Sequence, residues 1–196
     1  MKKILNESRK KTIFFYICLV ISIIALYSGI MSAFHKDSKR KFFSLGLFTR
    51  QNTFFVNLVL FCHFFKKKIN SKFLSYLDFN CFVNCIVVFI FCFTKYETGP
   101  YFFEHKLLPL TFCFYYLFID QNFILWNEFY TGFIYVLTYS LISIIIYYFK
   151  KDLFPYLKEC EPYTLLQKLT FIFSSFCSII LFTFFKSKRL KCEYNL

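Results

Sequence analysis

Runs of about 20 apolar residues recur along this chain, each closed off by a short cluster of lysine and arginine. Thr12 to Phe34 carries no charge and follows Lys2, Lys3, Arg9, Lys10 and Lys11. It exceeds the ~7–15-residue core of a cleaved signal peptide, so it reads as a retained span. Phe42 to Phe65 contains Arg50 and ends at Lys66, Lys67 and Lys68. Phe73 to Thr94 contains Asp78, and Leu107 to Trp126 is interrupted by Asp120, Gln121 and Asn122. Phe129 to Phe149 is uncharged, and Leu169 to Phe185 is followed by Lys186, Lys188, Arg189 and Lys191. A lone segment that crosses hydrocarbon must satisfy its backbone internally, which makes helix the default. The expectation is an all-α integral membrane protein, a bundle of six transmembrane helices with short loops. Residues 1–196 form one domain, with spans near 12–34, 44–65, 73–94, 105–125, 129–149 and 168–185.

Composition points the same way. With 33 Phe and 15 Tyr, and 58% apolar residues, the chain has more large apolar side chains than one soluble core can hide. Four Gly and four Pro are too few for a turn-rich β architecture. The formal charge of +13 sits in clusters between the apolar runs. That is where cations meet lipid headgroups, so the bilayer is the expected partner and nucleic acid is not. The cysteines within the apolar runs, among them Cys18, Cys81, Cys85 and Cys113, read as small hydrophobes, because no Cys-x-x-Cys or Cys/His zinc spacing accompanies them. Neither a cofactor nor a metal is expected.

Six spans put both termini on one side. Of the 24 Lys and Arg, 13 fall on that side and 11 on the other, which favours cytoplasmic termini. Arg50 is expected near a membrane face with its side chain reaching outwards. Asp78 reads as a carboxylate close to the headgroups, reaching out to them or pairing with lysine. Asp120 reads as the mark of a tight turn between spans four and five. His35, His63 and His105 each lie at the end of a span, where an interfacial role is the commoner one.

Position adds to the case for His105. The six-span order places it on the same side as Ser44, Thr49 and Arg50, which open span two. A hydroxyl nucleophile needs a nearby base, and Thr or Ser with His is the smallest pair that supplies one. Hydroxyls abound in this chain, and a span-end threonine commonly bonds its own backbone.

Three stretches resemble the androgen-induced protein family: Lys41 to Leu60, His105-Lys106-Leu107-Leu108-Pro109, and Phe154-Pro155-Tyr156-Leu157 after an aromatic-rich fifth span. The resemblance implies a six-span membrane protein and a Thr-dependent hydrolase of fatty-acid esters of hydroxy fatty acids. Its substrate would be a lipid with long acyl chains, in the endoplasmic reticulum or another endomembrane. It implies Thr49 as nucleophile, by distance to the end of span two. Ser44 is the alternative, because Lys41-Phe42-Phe43-Ser44 is similar to the family's entry to that span. It implies His105 as base, although Glu104 stands where the family often has Asn-His. The competing class is a non-catalytic multi-span protein, such as a small transporter or an assembly subunit.

Cytoplasmic termini leave the sequon Asn6-Glu7-Ser8 unmodified. Translation into microsomes should give no glycan on Asn6, and a glycosylated Asn6 would reverse the orientation.

Overall fold

A computed structural model describes residues 2–34, 47–65, 71–92, 100–122, 124–149 and 165–194. The described residues are helical and contain no strand. We number the helical segments α1 (Lys2–Phe34), α2 (Phe48–Phe64) and α3 (Ser71–Cys92). Segment α4 is a continuous helical run assembled from Pro100–Phe102, Phe103–Leu107, Leu108–Phe114 and Tyr115–Ile119. Segment α5 opens as 3-10 helix at Trp126–Phe133 and continues as α-helix through Ile134–Phe149. Segment α6 is Leu165–Tyr194.

Four stretches are long and apolar enough to cross a membrane: Arg9–Phe34, Lys72–Cys92, Trp126–Ile146 and Leu166–Lys191. The other two expected spans differ for reasons visible in their residues. Segment α2 is 17 residues long and carries Arg50. Segment α4 changes pitch twice. Pro109 has no N–H for the carbonyl of His105, and its ring crowds that carbonyl. The preceding turn widens into π-helix over Phe103–Leu107, and Leu108 N–H bonds Phe103 O instead. A second π-helical turn, Tyr115–Ile119, ends where Asp120 turns extended at ψ 133°. Asp120 Oδ1 accepts the Asn122 N–H at 3.1 Å, so the expected turn after span four is an aspartate-nucleated one. The end helices outrun their apolar cores in both directions, because water-facing helical turns still satisfy their own backbone.

An apolar core centred on Phe79, Phe82 and Phe112 is joined by a buried polar face. On α2 the buried side includes Thr49, Arg50, Asn52, Thr53, Asn57 and His63. Its outer side presents Phe54, Leu58, Phe61 and Phe64. Segments α5 and α6 also turn Leu137, Leu141, Ile172 and Phe173 outwards. An apolar outer surface of this extent is compatible with contact to a membrane. In hydrocarbon the apolar effect gives helices no reason to associate, so close packing and interhelical hydrogen bonds must hold them. Both are present. Asn57 Nδ2 donates to Ser22 O at 2.8 Å, and Ser22 Oγ donates to Asn57 Oδ1 at 3.0 Å, which ties α2 to α1. Bonds of this kind are worth on the order of 1 kcal/mol each. Segment α3 is the hub: 61% of its apolar window is buried, against 22% or less in the other three. Phe82 stacks on Tyr116 of α4 with ring centroids 4.4 Å apart, and Phe79 meets Phe129 of α5 at 5.5 Å.

Gly132 permits the α3–α5 contact. A Cβ there would stand 2.5 Å from the Phe79 ring and 2.8 Å from Val83, and Phe79 is fully buried. Gly132→Ala should therefore lower stability by about 1–3 kcal/mol through overpacking. Leu137→Ala on the outer surface should lower it by less. Thermal unfolding of both variants in detergent checks the difference.

Candidate functional site

The first turn of α2 and the π-helical turn of α4 meet at a buried ion pair. Arg50 Nε lies 3.7 Å from Glu104 Oε1, with Arg50 8% and Glu104 1% exposed. Arg50 Nη2 donates to Ser32 Oγ of α1 at 2.8 Å. The guanidinium is thus held from two sides. Its Nη1 has no hydrogen-bond partner among the described residues. This corrects the expectation that Arg50 reaches outwards: Glu104 and Ser32 supply its partners inside the bundle. Gly29 of α1 makes room for the pair, since a Cβ there would collide with the Glu104 carboxylate.

Thr49 and His105 are the chain neighbours of Arg50 and Glu104. Thr49 is buried on the first turn of α2, and its carbonyl accepts the Thr53 hydroxyl at 3.0 Å. His105 is half-buried in the π-helical turn, with its ring 5.8 Å from that of Tyr101. The pairing of Arg50 with Glu104 brings together the two helix ends that carry them. Ser44 and the stretch Phe154 to Leu157 lie outside the described residues.

A cleft of about 310 Å³ adjoins this meeting point. It is lined by the apolar Leu26, Ile30 and Phe54 and by the polar Arg50, Gln51 and Glu104. Phe54 belongs to the outer surface, so the cleft opens sideways from the bundle. Gln51 is held by a hydrogen bond from the Tyr135 hydroxyl of α5. An apolar cleft with a few converging polar groups suits a ligand with an acyl chain and one oxygen-bearing head. Of the groups at this meeting point, Arg50, Gln51, Thr53 and Glu104 line the cleft, while Thr49 and His105 are the chain neighbours of two of them.

A second polar cluster lies at the other end of α2. His63 Nε2 is 2.8 Å from Asp78 Oδ1, and Lys186 Nζ is 2.8 Å from Asp120 Oδ2. All four side chains are buried. Asp78 therefore neither reaches the headgroups nor pairs with lysine: His63 and Asn122 take its oxygens. His63 is an interior group and not an interfacial one. Asp120, expected only at a turn, also anchors Lys186 of α6. The three acidic or basic residues inside the apolar runs were visible in the sequence as anomalies. Their partners Glu104, His63 and Lys186 were not, because each comes from a different helix.

Comparison with family models, curated proteins and solved structures finds no match to this chain.

Removing one member of a buried ion pair leaves the other charge uncompensated, at a cost of about 3–5 kcal/mol. Arg50→Met and Glu104→Gln should each destabilise the protein on that scale, and the double variant by less than their sum. A double-mutant cycle of unfolding free energies in detergent checks this, and additive losses would mean that the two groups do not interact.

Proposed function

We propose that this chain is a six-span membrane hydrolase of fatty-acid esters, with Thr49 as nucleophile and His105 as base, placed in an endomembrane with cytoplasmic termini. The observation that carries this reading is the Arg50–Glu104 pair. It joins the helix ends bearing Thr49 and His105 beside a cleft that opens to the apolar surface. The resemblance to the androgen-induced family supports the same residues and the same substrate class. The π-helical turn around His105 adds support, since such turns concentrate at functional sites.

The six-span count rests on α2 and α4. Segment α2 has 17 residues and so a length of about 26 Å, close to the ~30 Å hydrocarbon core. Its outward Phe54, Leu58, Phe61 and Phe64 suit lipid contact, and α4 turns Leu110, Phe114 and Phe118 outwards in the same way.

In the proposed reaction the Thr49 hydroxyl attacks the ester carbonyl while His105 takes its proton. The oxyanion that forms is stabilised by Arg50, whose Nη1 has donors to offer. Collapse of the tetrahedral intermediate breaks the ester C–O bond, and His105 returns the proton to the departing hydroxy fatty acid. Water, activated by the same imidazole, then attacks the acyl-threonine and releases the fatty acid. Acyl chains stay in lipid throughout, which is the advantage of a site open to the side.

Purified protein should hydrolyse long-chain fatty esters, and His105→Ala should lower turnover at least about a hundredfold. Thr49 is buried, so Thr49→Val is the better test: it keeps the shape and removes only the hydroxyl. The expected result is a comparable loss with the unfolding midpoint nearly kept. Activity that survives Thr49→Val and falls with Ser44→Ala would move the nucleophile to Ser44. A wild type inactive on every ester would leave the non-catalytic reading.

A further inference from the structure

The cluster around His63 lies at the opposite end of α2 from Thr49, and its chemistry is independent of the hydrolase reading. Three groups converge there from three elements: His63 at the end of α2, Asp78 in α3, and Asp120 just past the second π-helical turn. One donor atom from each lies within 4.8 Å of the others, and all three residues are buried. Two carboxylates this close, away from water, repel strongly unless cations stand beside them.

The carboxylates are held in a particular way. Asn122 takes one oxygen of each: its side-chain amide donates to Asp78 Oδ2 at 2.6 Å, and its backbone N–H donates to Asp120 Oδ1 at 3.1 Å. The remaining oxygens meet basic groups, Asp78 Oδ1 with His63 Nε2 and Asp120 Oδ2 with Lys186 Nζ. Amide donors that fix one carboxylate oxygen and leave the other for a cation are the usual outer support of a metal site. One imidazole nitrogen with two carboxylate oxygens is a donor set suited to borderline first-row cations. Arg189 adds hydrogen bonds to the carbonyls of Leu117 and Asp120, which pin the same turn.

We propose that His63, Asp78 and Asp120 form a binding site for a first-row divalent cation, with the Lys186 ammonium as its built-in competitor. Lys186 lies 2.8 Å from Asp120 and 3.3 Å from the centre of the Tyr116 ring, a cradle for a positive charge. Its long stem belongs to the end of α6, beside Lys188 and Arg189, so the ammonium can withdraw towards the headgroups when a metal takes its place. Metal binding would break the His63–Asp78 hydrogen bond, with the neutral imidazole carrying its proton on Nδ1, and the ammonium contact to Asp120, and would make one bond from each of the three residues.

The test is calorimetric titration of the chelator-stripped full chain in detergent, with Zn²⁺ alone and with Mn²⁺ alone. One ion per chain is expected for at least one of them. Asp78→Asn and His63→Gln should weaken it at least tenfold. Lys186→Met, which removes the competitor, should tighten it at least tenfold. Because an unfolded chain exposes nine cysteines that can take Zn²⁺, the Lys186→Met gain counts only at one ion per chain and with a retained thermal unfolding transition, which keeps the test decisive even where Asp78→Asn fails to fold. No stoichiometric binding of either ion to the wild type or to Lys186→Met would overturn the proposal, and so would a Lys186→Met affinity equal to that of the wild type. Either result would make the cluster an ion-pair clamp between helices. Ester hydrolysis is not read in this experiment, so its outcome leaves the hydrolase reading where it stands.

Discussion

A polar side chain taken out of water needs a partner, and the packing of the described helices follows from that. A charge or an amide on an apolar helix is stable only where another polar group meets it inside the bundle. Arg50 meets Glu104 and Ser32, Asp78 meets His63 and Asn122, and Asp120 meets Lys186. These contacts set which face of each helix turns inwards. Phenylalanines, leucines and isoleucines then face out on α2, α5 and α6, a surface compatible with a membrane. Packing follows the same logic, since Gly29 and Gly132 let helices approach where close contact must replace the hydrophobic drive.

Two polar centres result, one at each end of α2, with different characters. Around Arg50 the polar groups Gln51, Thr53 and Glu104 line a cleft together with Leu26, Ile30 and Phe54. Around Asp78 the polar groups are enclosed and drawn from α2, α3, the turn after α4, and α6. That is a setting for a bound cation or for a joint between helices. Asn57, Asn52 and Thr53 line the stretch of α2 between the two centres and are themselves buried, so one helix carries the polar spine of the whole bundle.

Both π-helical turns among the described residues lie in α4, and both centres draw on it. Pro109 explains the first π-helical turn by the missing N–H and the crowded carbonyl one turn before it. The widened turn holds Glu104 and His105 together. The second π-helical turn ends at Asp120 and delivers that carboxylate to Lys186. A straight α-helix through the same residues would rotate one of these groups away from its partner, since each π-helical turn shifts the register of everything that follows.

The sequence by itself determined the all-helical class and four of the six expected spans, Arg9–Phe34, Lys72–Cys92, Trp126–Ile146 and Leu166–Lys191, because length and lack of charge decide whether a helix can cross hydrocarbon. It also marked Arg50, Asp78 and Asp120 as groups that need an explanation, and it singled out Thr49 and His105 as neighbours of one side. It misjudged where Arg50 and Asp78 go, and for Asp120 it gave the turn but not the partner. A charge near the end of an apolar run has two refuges, the headgroups or an interior partner, and the sequence of that helix alone is the same in both cases. Tertiary structure decided for the interior each time. Hydrogen-bond partners came from other helices: Glu104 for Arg50, His63 for Asp78 and Lys186 for Asp120. Pairing across helices depends on which faces meet, and that is settled by packing and by the register of α4, not by any local pattern of residues.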